Sequence, residues 1–234
     1  MISMIVYHAM WNLVYMFGVN IPWYRSDGAY IWQQSICWTF ILLSGFCWSL
    51  GRRKLRRALE VLAISTIISL VTVFLMPDNL ILFGVLSAIG TSMLLMIPLD
   101  KVYSKINPYI GMLACIALFV VTRNVNAGVL GFEGWKWFHL PSSWYANLFT
   151  AYLGFPPSSF WSCDYFSVFP WIFLYQTGYF LYMIFRKRQL SGVLHMAELP
   201  ILSWLGRNSL IIYALHQPVV YVVLTIVMYF ARHS

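Results

Sequence analysis

The chain is 234 residues long, 61% hydrophobic and only 9% charged. A soluble domain carries about 25% charged residues, so this composition cannot cover a water-facing surface and excludes a soluble globular enzyme. The net charge of +8 does not indicate nucleic acid as a partner, because the basic residues form short clusters between apolar runs rather than a soluble basic face.

A hydrocarbon core of ~30 Å needs about 20 apolar residues per helical crossing. The pattern predicts an all-α membrane protein, a bundle of about seven transmembrane helices at 1–19, 30–50, 58–76, 80–98, 107–122, 165–185 and 208–230, with one long exterior loop at 123–164. The whole of 1–234 is read as a single integral-membrane domain. Its eleven Trp and fifteen Tyr fit aromatic belts at the two lipid interfaces.

The first run, MISMIVYHAMWNLVYMFGV, lacks a basic n-region and a small-residue cleavage site, so it is read as a span rather than a signal peptide. It carries His8. A charged group at membrane depth costs roughly 2.5–3.5 kcal/mol, whereas an imidazole can stay neutral and still exchange a proton near pH 7. Trp11 and Asn12 stand at i+3 and i+4 from His8, on one helix face. Asn12 could fix the ring tautomer or bind a polar substrate; the plainer alternative is interhelical hydrogen bonding that holds the bundle together. Ser44-Gly45 in the second run and Gly84 in the fourth place small residues where helices pack closely.

Arg52, Arg53, Lys54, Arg56 and Arg57 follow the second run. Placing that loop inside also puts 99–106 and 186–207 inside, and eleven of the fifteen basic residues then share one side. The positive-inside rule gives a cytoplasmic N-terminus and an exterior C-terminus. The same cluster could hold phosphate groups, although topology alone accounts for it.

The exterior loop is rich in Gly, Pro, Ser, Trp and Tyr, and a loop this long without a role is uncommon. Within it, Ser143 to Phe155 is read as a short interfacial or re-entrant helix, either an aromatic anchor or a wall over a site open to the exterior. Asp164 ends the loop at the edge of the sixth span. It would favour a helix through the dipole, or bind a polar acceptor together with Tyr165 and Trp171, or orient a histidine.

Arg207 and Asn208 open the last span as a snorkelling anchor or as a phosphate site. His216 follows Arg207 by nine residues, about 14 Å along a helix and near mid-membrane. His8 and His216 could therefore line one cavity if their helices are neighbours. Gln217 adds a polar group, and Pro218 frees a backbone carbonyl one turn back. His195 lies in the last inner segment without a clear partner. Cys37, Cys47, Cys115 and Cys163 show neither CxxC pairing nor metal-like spacing, so neither a disulfide framework nor a metal site is expected. The chain has no HExxH, GxSxG or P-loop, which removes support for proteolysis, serine-hydrolase chemistry and ATP hydrolysis.

Five blocks occur in order: MIVYHAMWNL, FILLSGFCWSLGRR, ILFGVLSAIG, SCDYFSVFPW and LGRNSLIIYALHQPVVY. Together they resemble bacterial relatives of the heparan-alpha-glucosaminide N-acetyltransferase catalytic domain, within the transmembrane acyltransferase superfamily. The resemblance implies a membrane acyltransferase that moves an acyl group, acetyl by preference, from cytoplasmic acyl-CoA to a hydroxyl or amine of a sugar-containing acceptor. Acetyl-CoA would be the acyl donor and no metal would be needed. His8 and His216 match histidines of the family's motifs, and Asp164 and Arg207 match polar positions. Relatives carry an acidic residue followed closely by Arg-Gly just before the first histidine, whereas this chain begins at Met1, after that point. On this reading His8 is the first choice of base and His216 an orienter or second base. Trp11, Asn12, Asp164, Tyr165 and Gln217 would contact substrate, and Arg52, Arg53, Arg207 and Asn208 the CoA. The expected location is the cytoplasmic membrane, with the lipid bilayer, acyl-CoA and the acceptor as partners; self-association as a homo-oligomer stays open. A transporter or permease for a small polar solute or lipid-linked sugar explains the intramembrane histidines equally well, and in a purely structural membrane protein they would only pack.

Overall fold

An apolar solvent offers no partner to backbone N–H and C=O groups, so the crossing segments of such a chain must satisfy them as helix. The structure, a computed structural model, describes residues 1–188 and 200–233. His195, with 189–199 of the predicted inner segment, lies outside the described residues. The described chain is 72% helix and 4% strand. Its helices are α1 (Ile2–Trp11), α2 (Asp27–Trp48), α3 (Lys54–Leu75), α4 (Val85–Tyr103), α5 (Pro108–Thr122), α6 (Leu148–Leu153), α7 (Trp171–Lys187), α8 (Pro200–Arg207) and α9 (Ser209–His233).

A helix occupies each of the seven predicted positions, but among the described residues four stretches are long and apolar enough to cross a membrane. These are Lys54–Leu75, Val85–Tyr103, Pro108–Ala127 and Ser209–Ala231. They point to a multi-pass membrane protein. The other helices differ from expectation for local reasons. α1 gives way at Asn12 to a π-helical turn, Asn12–Met16. α7 starts at Trp171 rather than 165, directly after Pro170, and runs for 17 residues, roughly 25 Å. Proline disfavours helical backbone in the residue before it, so the helix does not run back through Phe169, and Tyr165 lies in the irregular approach.

The all-α expectation also needs correction within the 123–164 loop. β1 (Val129–Phe132) pairs antiparallel with β2 (Trp135–His139), with an irregularity between Leu130 and Gly131. Arg123 at the end of α5 bridges to Glu133 in the turn at 3.1 Å, and Asn124 Nδ2 donates to the Glu133 carbonyl at 2.7 Å. β1 packs on α5, and β2 leaves all five residues exposed. The short helix expected within 143–155 is present as α6, opened by an Asn147–Thr150 capping box.

The chain divides into two compact units, Phe40–Gly192 and Met1–Thr39 with Val193–Ser234. In the first, α3 packs on α4 and α5 on α7. The end of α2 meets α7 backbone to backbone. A methyl group at Gly178 would stand 2.0 Å from the Leu42 carbonyl oxygen, and one at Gly45 would stand 1.8 Å from the Tyr175 carbonyl oxygen. Ser44-Gly45 therefore serves the close packing expected of it, and Gly178 is its counterpart. Near the predicted inner ends, Lys54 Nζ lies 3.5 Å from Asp100 Oδ2 and 3.6 Å over the Trp48 ring, and Tyr179 OH donates to Asp100 Oδ1 at 2.6 Å. That network, which links the ends of α2, α3, α4 and α7, has no signature in local sequence.

In the second unit, α1 packs along α9. Val14, Tyr24 and Ala29 form a buried cluster backed by Tyr7, Met10, Trp11, Ile21 and Trp32. Tyr24 OH donates to the Tyr7 carbonyl at 3.0 Å, and Trp32 Nε1 donates to Ser3 Oγ at 2.8 Å. These bonds fix the position of α1 against the start of α2.

Overpacking a tight contact costs about 1–3 kcal/mol. Gly178→Ala and Gly45→Ala should each lower the thermal unfolding midpoint in detergent by several degrees, while Gly134→Ala, where an added methyl meets nothing within 4 Å, should leave it within about one degree.

Candidate active site

The π turn places Asn12. Its carbonyl accepts from the Phe17 N–H, five residues on, at 3.0 Å. A π turn inserts an extra residue into the helical ladder, and such turns concentrate at functional sites. Asn12 has no exposed surface. Opposite it on α9, Pro218 has no N–H to offer the preceding turn. Gln217 Nε2 donates to Asn12 Oδ1 at 2.9 Å, and one residue earlier the His216 ring lies 4.8 Å from that of His8, centroid to centroid. Four side chains, His8 and Asn12 from α1 and its π turn, His216 and Gln217 from α9, thus form one polar cluster between two apolar helices.

The cluster has a defined hydrogen-bond polarity. His216 Nδ1 lies 2.6 Å from the Tyr213 carbonyl oxygen. A carbonyl only accepts, so Nδ1 carries the hydrogen and, in the neutral ring, Nε2 carries the lone pair. His216 is 8% exposed. Its Nε2, Asn12 Nδ2 and Gln217 Oε1 are all buried without a hydrogen-bond partner among the described residues. An unpaired buried polar atom costs about 1–3 kcal/mol. Three in one cluster make one acceptor nitrogen, one amide donor and one amide acceptor free for a polar molecule.

The family model for the catalytic domain of heparan-alpha-glucosaminide N-acetyltransferase matches the chain over residues 1–218. The chain belongs to this family. No curated protein and no solved structure matches it. The matched stretch contains all four cluster residues, and the family is one of membrane acetyltransferases.

The remaining candidates have surroundings of their own. Trp11 does not join the histidines: its ring lies 5.4 Å from that of Tyr15, and it packs against the Val14–Tyr24–Ala29 cluster. Arg207 is exposed at the end of α8, and Asn208 Nδ2 turns back to the Trp204 carbonyl at 2.9 Å. Arg52 and Arg53 are exposed in the Phe40–Gly192 unit. Tyr165 OH donates to the Ala151 carbonyl, which ties the approach to α7 onto α6.

Asp164 has a structural role that the sequence reading assigned to the wrong helix. Its Oδ2 accepts from the Val85 N–H at 3.3 Å, so it caps α4, remote in sequence, rather than the helix that follows it. A methyl group on Gly84 would sit 2.9 Å from that oxygen; Gly84 makes room for the cap and is not a helix-packing glycine. Neighbouring bonds lace the same strip together, Cys163 N–H to the Leu80 carbonyl and Phe166 N–H to the Phe83 carbonyl, both at 2.8 Å.

Burial pushes the Asp164 carboxyl up to about 6, against which the Val85 N–H pulls it down. A carboxyl whose folded pKa lies above its unfolded value holds its proton more tightly when folded, so its contribution to stability falls as pH rises from about 4 to about 6. Asp164→Asn keeps an oxygen for Val85 and removes that titration. The melting temperature of the variant minus that of wild type should therefore increase between pH 4 and pH 6, and a difference that stays flat across this window would show that Asp164 does not titrate there.

Proposed function

We propose that this protein transfers an acetyl group from acetyl-CoA to a hydroxyl or amine of a sugar-containing acceptor, with the His216–His8 pair at the reacting centre. The observation that carries this reading is the His216 ring, whose Nδ1 is committed to the Tyr213 carbonyl while its Nε2 is buried without a partner among the described residues, 4.8 Å ring to ring from His8. A general base needs a lone pair held in a fixed direction and protected from bulk water. His216 Nε2 has both properties. The base is therefore His216, and His8 is the adjacent ring that shapes the site, which reverses the order of choice drawn from sequence.

The step follows from that assignment. Nε2 takes the proton of the attacking hydroxyl or amine as the new bond forms to the thioester carbonyl carbon. The carbon–sulfur bond then breaks, and the imidazolium returns the proton to the CoA sulfur. The products are acetylated acceptor and CoA thiol, with His216 neutral again. Arg207 stands two residues before α9 begins and nine residues before His216, about 14 Å along a helix. An exposed guanidinium there suits the phosphate groups of CoA, since it offers planar paired donors. We further propose that the seven helical segments cross the cytoplasmic membrane as one domain, with the N-terminus inside.

Purified protein in detergent should bind acetyl-CoA, and Arg207→Ala should weaken that binding. His216→Ala should lower acetyl transfer about 10²–10⁴-fold with the melting temperature kept and acetyl-CoA affinity unchanged. Solute movement in proteoliposomes without acetyl-CoA binding or consumption would instead establish a transporter and overturn the proposal.

A further inference from the structure

The reaction proposed above places a negative charge on the acetyl oxygen as the nucleophile adds, and a base alone does nothing for that charge. Acyl-transfer sites stabilise it with hydrogen-bond donors already aimed at the oxygen. A donor for this task must be buried, fixed in direction and not already used by the protein. Asn12 Nδ2 has these three properties. Asn12 is without exposed surface, and its Nδ2 has no hydrogen-bond partner among the described residues. Its Oδ1 is held by Gln217 Nε2 at 2.9 Å, which prevents the amide from turning. The π turn that carries it is closed by the bond from the Phe17 N–H to the Asn12 carbonyl.

We infer that Asn12 Nδ2 donates to the acetyl carbonyl oxygen and stabilises the oxyanion formed during transfer, with Gln217 as the residue that positions it. The inference rests on the acetyltransferase reading. It assigns Asn12 to the acetyl donor, not to the acceptor or to a histidine tautomer. The geometry excludes the tautomer role for His216, because the Tyr213 carbonyl already fixes that ring. The arrangement is internally consistent, since Gln217 adjoins His216 in sequence and His8 lies one helical turn before Asn12, so base and oxyanion donor share one cluster. In the addition step the carbonyl π pair moves onto oxygen and Nδ2–H donates to it. When the carbonyl reforms, the carbon–sulfur pair leaves with CoA and the proton from His216 follows it.

The test compares wild type with Asn12→Asp, which keeps the shape and replaces the donor by an acceptor, and with Gln217→Leu, which removes the positioning bond. Removal of one such donor lowers turnover about 10²–10³-fold. Asn12→Asp should lose kcat by that factor while the KM for acetyl-CoA changes less than about two-fold, because the bond strengthens only as charge develops. Gln217→Leu should show a smaller loss of the same kind. An independent readout uses wild type alone: the infrared carbonyl stretch of bound acetyl-CoA, edited with a ¹³C label, should fall below that of acetyl-CoA in water. Wild type that transfers acetyl groups with unchanged kcat in Asn12→Asp, or that binds acetyl-CoA without lowering the stretch, overturns this inference and leaves the acetyltransferase reading standing. A raised KM with kcat preserved also overturns it, because Asn12 would then be a ground-state contact. Wild type with no acetyl transfer overturns both.

Discussion

The hydrogen bond from Gln217 to Asn12 holds two apolar helices in a single register, and the candidate site depends on that register. Apolar side chains alone fix the relative slide of two helices in lipid weakly, because the lipid tails are as apolar as the helix surfaces. A polar pair with one satisfied bond specifies the slide, since displacement would leave both amides unpaired. With that bond in place, the two histidines come to ring contact. Each of the two backbone irregularities sits beside a cluster residue: the π turn begins at Asn12, and Pro218 follows Gln217.

The irregularities and the polarity of the cluster are connected. A regular helix satisfies its own carbonyls, so a side chain that bonds to one competes with the ladder. At Tyr213 the carbonyl accepts from the His216 ring, which sets the tautomer and leaves Nε2 as the acceptor. At Asn12 the wider turn accompanies a side chain with no exposed surface. Against the interrupted ladder and unpaired atoms stand the aromatic packing of Tyr7, Tyr24 and Trp32 and the bonds of Tyr24 and Trp32 to α1.

Hydropathy made the seven helix positions legible, because apolar run length is a strong signal in lipid. The meeting of His8 with His216 was legible only conditionally, from their equal depth. The sequence carries no mark for the Lys54–Asp100–Tyr179 network or for the Gly178 approach to Leu42, which arise from tertiary contact. Asp164 shows the limit most clearly. A cap signal was visible, but local sequence points to the next helix, whereas the carboxylate reaches α4, 79 residues back. The hairpin at Val129–His139 lies in the stretch read as an exterior loop, and its second strand leaves all five residues exposed, so no buried-face alternation marks it in the sequence. Trp11 shared a face with His8 in the helical projection, yet the aromatic cluster around Tyr24 claimed it.

The role of His216 as base depends on which of its ring nitrogens bears the hydrogen. Nitrogen-15 NMR of histidine-labelled protein in nanodiscs, with His216 assigned by comparison with His216→Gln, reads this directly. The expected result is a neutral ring protonated at Nδ1, with an unprotonated Nε2 that changes shift when an acceptor sugar is added. A neutral ring protonated at Nε2 would leave no lone pair at the buried position and would contradict the assignment of His216 as the base.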